Sequence, residues 1–113
     1  MLNVDVEYKR GVLFLRLIGK LNTDTRKELD EVLDLVPLVG FKYVMINFEK
    51  LYSIDDDGIK TIMNSCEKLV NREGKLLVCG YNNLIKLKIE NSNILSYALE
   101  TKNELGAFKL INI

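Results

Sequence analysis

Three successive carboxylates, Asp55, Asp56 and Asp57, stand before Gly58 where an apolar run gives way to an amphipathic pattern. Side chains of this type at a helix start can do two kinds of chemistry. They can cap: the short carboxylate of Asp55 suits an N-cap that accepts from the amides of Asp57 or Gly58, and acids in a first turn gain roughly 0.3–1 kcal/mol each from the helix dipole. They can also gather a Mg²⁺, but that ion ordinarily needs substrate phosphates or further oxygen ligands, and none can be located in the sequence. The chain contains no His, which removes the commonest general base and metal ligand. It has no G-x-S-x-G, P-loop or G-x-G-x-x-G motif either. Most enzymatic schemes therefore lack a part: the chain is not expected to be an enzyme, and no catalytic residue, metal or cofactor is expected.

Both elements that must position the turn are visible in the periodicity. Residues 43–48 form an interior-type strand, and Ile59, Ile62, Met63, Cys66, Leu69 and Val70 then recur as one helical stripe that Gly74 terminates. Strand-to-helix turns of this kind present backbone N–H groups outside the carboxyl end of a sheet. Upstream, Val4, Val6 and Tyr8 alternate with Asp5 and Glu7, and Lys9-Arg10-Gly11 turns the chain into the apolar run 12–18 as an antiparallel hairpin. Thr25-Arg26-Lys27-Glu28 fits the capping box S/T-x-x-E and opens a helix over Leu29, Val32, Leu33 and Val36 that Pro37 and Gly40 should end. Residues 76–79 are a further strand.

Beyond Tyr81 the pattern is ambiguous. Leu84 and Leu87 suit a helix, whereas Ile85, Leu87 and Ile89 alternate as a strand would. Leu95, Tyr97 and Leu99 predict a last strand, and residues 102–110 read as a closing helix that buries Leu105, Phe108 and Ile111. Strands separated by helices require crossovers. The predicted fold is therefore α/β: one domain over residues 1–113, a mixed sheet of about five strands with an antiparallel first hairpin and parallel later strands, flanked by about four helices.

Composition bounds the partners. A chain of 113 residues, 48% hydrophobic, can bury one modest core. Its 16 basic and 16 acidic side chains cancel, which removes the electrostatic footprint of a nucleic-acid binder. Asp5 and Glu7 interrupt the amino-terminal segment where a secretory signal would be apolar, and no apolar run is long enough to span a membrane. Cys66 and Cys79 fall inside a helix pattern and a strand pattern, as buried thiols of a cytoplasmic protein would.

The letters around the turn carry more than its charge. Asn47-Phe48-Glu49, Leu51, Ser53-Ile54-Asp55 and Gly58-Ile59 resemble the signature N-[FL]-E-x-L-x-S-[FIM]-D, two small polar residues, G-[LI] of the STAS family, best known in bacterial anti-sigma factor antagonists. Upstream, the segment Leu17-Ile18-Gly19-Lys20-Leu21-Asn22-Thr23-Asp24-Thr25 resembles the family's L-x-G-E-L-D-x-x-T. Downstream, Gly74-Lys75-Leu76-Leu77-Val78-Cys79 resembles its G-G-x-[LM]-V-[LV]-x strand. The resemblance implies a short helix over the ambiguous residues 84–89.

It also implies regulation by binding. Antagonists of this family bind an anti-sigma factor that is also a serine kinase. The kinase phosphorylates a Ser in a D-S-[ST]-G turn, and the added dianion ends the interaction. In this chain Asp56 occupies the position of that Ser and Asp57 that of the next residue, so serine phosphorylation of the turn is chemically excluded. Either the acidic turn imitates the phosphorylated state, or the partner accepts it and is controlled otherwise; the second has the more obvious use. Lys20 and Asn22 replace the family's Glu and Asp. The expected partner-binding face is Asn22, Thr23, Asp24 and Thr25 with Ser53, Ile54, Asp55, Asp56, Asp57 and Gly58, although residues 22–24 also read as a polar helix lead-in. The alternative is a STAS module that senses a small anionic ligand or nucleotide at the amides of the Gly58 helix start.

Overall fold

The computed structural model describes residues 1–111, except the side chains of residues 37–39. Strands β1 (Leu2–Lys9) and β2 (Val12–Leu21) pair antiparallel through a two-residue turn. Arg10 and Gly11 have φ of 53° and 87°, the left-handed pair that such a tight hairpin requires. Helix α1 (Arg26–Val39), strand β3 (Tyr43–Ile54), helix α2 (Asp56–Asn71) and strand β4 (Lys75–Cys79) follow. Two short helices, α3 (Asn83–Glu90) and α4 (Ile94–Tyr97), lead to the brief strand β5 (Leu99–Glu100) and helix α5 (Leu105–Leu110). The sheet order is β1-β2-β3-β4-β5, with every pairing after the hairpin parallel. The predicted mixed sheet is present.

The two faces of the sheet differ in cover. On one, Leu13, Leu15 and Leu17 of β2, Val44, Ile46 and Phe48 of β3 and Leu76 and Val78 of β4 pack with buried residues from α1, α2, α3 and α4. On the other, Val12, Phe14, Met45, Leu77 and Cys79 meet, among the described residues, Ala107 and Phe108 of α5 and a few half-buried neighbours. Burial pushes the thiols of Cys66 and Cys79 up, to about 12 and about 11. Both are buried and free, as the patterns suggest.

Several expectations need correction. Strand β3 is twice the predicted length because residues 50–54 continue to pair with residues 18–21 of β2, past irregularities between Arg16 and Ile18 and between Gly19 and Lys20. Helix α1 passes through Pro37 and stops only at Gly40, whose left-handed conformation (φ 79°) lets its N–H reach Val36 O at 3.1 Å. Leu95, Tyr97 and Leu99 do not form one strand: Ile94 and Ala98 are buried one helical turn apart, so the chain coils as α4 and pairs with β4 only at Leu99 and Glu100. Helix α3 is present, but Ile85 and Ile89 form its buried face while Leu84 and Leu87 face out. In α2, Val70 is exposed and Thr61 and Ser65 are buried, the Ser65 hydroxyl donating to Thr61 O at 2.9 Å. In α5, Phe108 is buried but Leu105 is 70% exposed.

Candidate functional site

The carboxyl ends of β2 and β3 run side by side, Lys20 opposite Ser53 and Leu21 opposite Ile54, and so bring two loops together. One is the residue 22–25 lead-in to α1, and the other is the acidic turn into α2. The Asp55 N–H donates to Leu21 O at 3.1 Å. The Asp55 carboxylate then does two jobs. Its Oδ1 accepts from the Gly58 amide at 2.9 Å as the N-cap of α2, and its Oδ2 accepts from the Thr23 amide at 3.0 Å and the Thr23 hydroxyl at 3.2 Å. The Thr23 hydroxyl also lies 2.6 Å from Asp57 Oδ2. Burial opposes ionisation of Asp55, but the amides of Gly58, Thr23 and Asp57 and the Thr23 hydroxyl outweigh it and hold the carboxyl below its ordinary pKa.

The capping box does not close as expected. Thr25 precedes α1 but makes no side-chain cap; its hydroxyl accepts from the Asn22 amide at 3.0 Å and donates to Lys20 O at 2.7 Å. Asn22 Oδ1 takes over, accepting from the amides of Asp24 and Thr25 at 3.0 and 3.1 Å. Its neutral amide thus serves as the lead-in, and Glu28 Oε2 is left buried without a hydrogen-bond partner.

Ten residues were expected at the site. Thr25, Ile54 and Gly58 are buried and shape it; Asn22, Asp55 and Asp57 are half-buried; Thr23, Asp24, Ser53 and Asp56 are exposed. Gly58 is required by proximity: a Cβ there would come within 2.7 Å of Ile54 Cγ1 and 2.8 Å of Leu21 O. Asp56 differs from its neighbours. Its side chain is 96% exposed, and the nearest cation, Lys88 Nζ of α3, is 3.8 Å from Oδ1. Arg26 Nη1 lies 3.9 Å from Asp57 Oδ1. Sequence patterns give no sign of Lys88, which reaches the turn only through tertiary packing; Asn82, the N-cap of α3, fixes it by donating to Tyr52 O at 3.4 Å.

A second polar cluster lies on the α5 side of the sheet. Arg16 donates to Asp5 at 3.0 Å, Glu7 at 2.7 Å and both oxygens of Glu104 at 2.8 Å, and Asn47 Nδ2 donates to Glu104 Oε2 at 2.8 Å. The Glu104 hydrogen bonds, then that of Glu7, raise the Arg16 pKa further above its already high ordinary value, and Arg16 in turn holds Glu104 below the usual carboxylate range. An open depression of about 550 Å³ beside it is lined by Lys50, Gly80 and Lys102 among others. Among the described residues, no group of three or more His, Cys, Asp or Glu could hold a metal ion, and no helix is long and apolar enough to cross a membrane.

The fold and the turn together define an α/β domain that carries a polar helix start, tied across two loops, at the carboxyl ends of β2 and β3 in a mixed sheet. A family model described as STAS domain matches residues 3–107. The chain belongs to the STAS domain family. It is 22% identical over 116 residues to the anti-sigma F factor antagonist of Paenibacillus polymyxa, spanning 99% of this chain and 97% of that protein. A crystal structure of an anti-sigma factor antagonist from Mycobacterium paratuberculosis superposes with a TM-score of 0.90 at 16% identity, over 100% of this chain and 96% of that one. The Bacillus cell fate determinant SpoIIAA in its phosphorylated form superposes with a TM-score of 0.75 at 16% identity, over 96% and 99%. At these identities the solved structures share the fold.

Proposed function

We infer that this chain, as one domain over residues 1–113, is a regulator of the anti-sigma factor antagonist type. It binds a kinase-type anti-sigma factor in the bacterial cytoplasm through the acidic turn, and Asp56 stands where relatives carry the phosphorylated Ser. The observation that carries this reading is the division of labour among the three aspartates. Asp55 caps α2 and Asp57 is held by Thr23, whereas Asp56 projects into solvent with only a loose contact to Lys88. A side chain so placed is free to meet another protein.

The relative from P. polymyxa supports the partner class, and the solution of SpoIIAA in phosphorylated form shows that a protein of this fold carries phosphate. The ligand-sensing alternative needs free amides at the start of α2. The Gly58 amide is already taken by Asp55 Oδ1, and three carboxylates repel an anion there.

The test is calorimetric binding to a purified kinase-type anti-sigma factor from the same genome. Nanomolar to micromolar affinity is expected, with Asp56→Lys abolishing it while the domain stays folded. Incubation with that kinase and ATP should leave the mass of the natural protein unchanged, and Asp56→Ser should gain one phosphate. Lack of binding at tens of micromolar, or phosphorylation of the natural turn, would overturn the reading.

A further inference from the structure

We propose that the outer edge of β1 pairs with β1 of a second copy of this chain, antiparallel and centred on Glu7, so that two five-stranded sheets join into one. The surface is separate from the acidic turn.

Strand β1 is first in the sheet order, and among the described residues no strand pairs with its outer side. It runs for eight residues with no proline and no register shift against β2. Edges of this length are ordinarily blunted by a bulge, a proline or an unpaired charge. The hairpin decides which backbone groups lie open. Its two-residue turn makes Lys9 and Val12 the closing hydrogen-bonded pair, and bonded pairs then alternate along the ladder. At the far end the Lys20 N–H donates to Met1 O at 3.2 Å, in phase with that alternation. Odd-numbered residues of β1 therefore bond β2, and the N–H and C=O groups of Leu2, Val4, Val6 and Tyr8 point outward.

Side chains select a second copy as the occupant. Val6 and Tyr8 stand on the helix-covered face opposite Leu15 and Leu13, yet they are 48% and 59% exposed. The Tyr8 ring rests against Phe41, with centroids 4.9 Å apart. On the other face Asp5 and Glu7 lean across to Arg16 at 3.0 and 2.7 Å, whereas Lys9 is exposed and makes no ion pair among the described residues. The segment Asp5-Val6-Glu7-Tyr8-Lys9 is self-complementary about its centre. A two-fold axis at Glu7 sets Val6 of each copy opposite Tyr8 of the other, joined by the outward amides, and Asp5 of each opposite Lys9 of the other. Aromatic–β-branched and opposite-charge pairs of this kind stabilise a sheet. The like-charged pair on the axis, Glu7 with Glu7, has each member held by Arg16 of its own chain. Neighbouring registers lose this match: centring on Val6 sets Asp5 opposite Glu7 twice, centring on Asp5 sets that residue against itself and leaves Lys9 out, and centring on Tyr8 pairs only three strand residues. An isologous contact closes after two copies. Because the axis reverses strand direction, the carboxyl ends of β2 and β3 point opposite ways in the two copies and both acidic turns stay accessible.

The experiment is sedimentation equilibrium of the full chain from about 1 μM to about 1 mM, over which the mass should double. Val6→Pro deletes an outward N–H and leaves the ladder to β2 complete, and Val6→Lys puts a charge on the apolar half of the edge. Each should raise the dimer dissociation constant at least about tenfold with the circular dichroism unchanged, and Val6→Lys carries the test if the proline unfolds the hairpin. Glu7→Cys, on the axis where facing Cα atoms of a non-hydrogen-bonded pair approach to about 4.5 Å, should form an intermolecular disulfide on oxidation with copper phenanthroline. Asn3→Cys, exposed on the same face but outside the paired segment, should not, and Cys66 and Cys79 are buried. A chain that stays monomeric throughout overturns the proposal. So does a dimer that both Val6 variants leave intact, or one in which Asn3→Cys cross-links as fast as Glu7→Cys.

Discussion

Two regions of this molecule gather carboxylates, and they use them in opposite ways. On the α5 side of the sheet, one guanidinium collects Asp5, Glu7 and Glu104 at 2.7–3.0 Å and so ties the first strand to the closing helix. At the start of α2, three consecutive aspartates find no ion-pair partner closer than 3.8 Å among the described residues, and two of them are held by amides and a threonine hydroxyl. Acidic composition is the same in both places. Direct, bidentate contact with Arg marks carboxylates that hold the fold together, whereas loose pairing at full exposure marks charge that is available to something else.

The comparison can be broken most easily at Arg16. Arg16→Ala should lower the unfolding free energy by about 1–2 kcal/mol, the range between an exposed pair and a buried one, and urea denaturation would read it. Asp55→Ala, which deletes the cap of α2 and orphans the Thr23 amide, should cost about 1 kcal/mol. The pH dependence sharpens the contrast. Glu104 and Asp55 both have folded pKa values below their ordinary ones, so the stability each adds is complete above the ordinary carboxylate range and is lost as pH falls through the folded value. Urea midpoints measured from about pH 7 down to about pH 3 should therefore decline, with a shallower decline in Glu104→Gln. The smallest effect belongs to Asp56→Ala, which should leave the thermal midpoint in place; a clear drop would mean that this side chain serves the fold after all.

Much of this arrangement is legible in the sequence because periodicity reports burial. The hairpin, α2 and β4 are where alternation and helical spacing put them, and the acidic turn lies beside residues 22–25 as the resemblance implies. Errors arise where two periods fit the same letters. Leu95, Tyr97 and Leu99 alternate, yet Ile94 and Ala98 are spaced to bury one turn of helix, and Ser92 Oγ accepts from the Ile94 amide at 3.2 Å to start it. In α3 the isoleucines take the core and the leucines do not, a choice set by how the helix lies on β3. The Asn22 cap competes with the Thr25–Glu28 box for the same amide and wins, and local pattern cannot rank two valid caps. The Arg16 cluster and the Lys88 contact join residues separated by up to 88 positions, so no window of sequence contains them.

The sequential strand order has one more consequence. From β2 to β5 each parallel strand is added on the same side of the last, so right-handed crossovers put α1, α2, α3 and α4 over one face. Ligand crevices of open α/β sheets form where that direction reverses and helices part to opposite faces. No such reversal occurs here. At the carboxyl ends of β2 and β3 two loops are instead tied to each other, a site that a larger molecule can grip from outside, and the open depression lies apart from them, past the ends of β4 and β5.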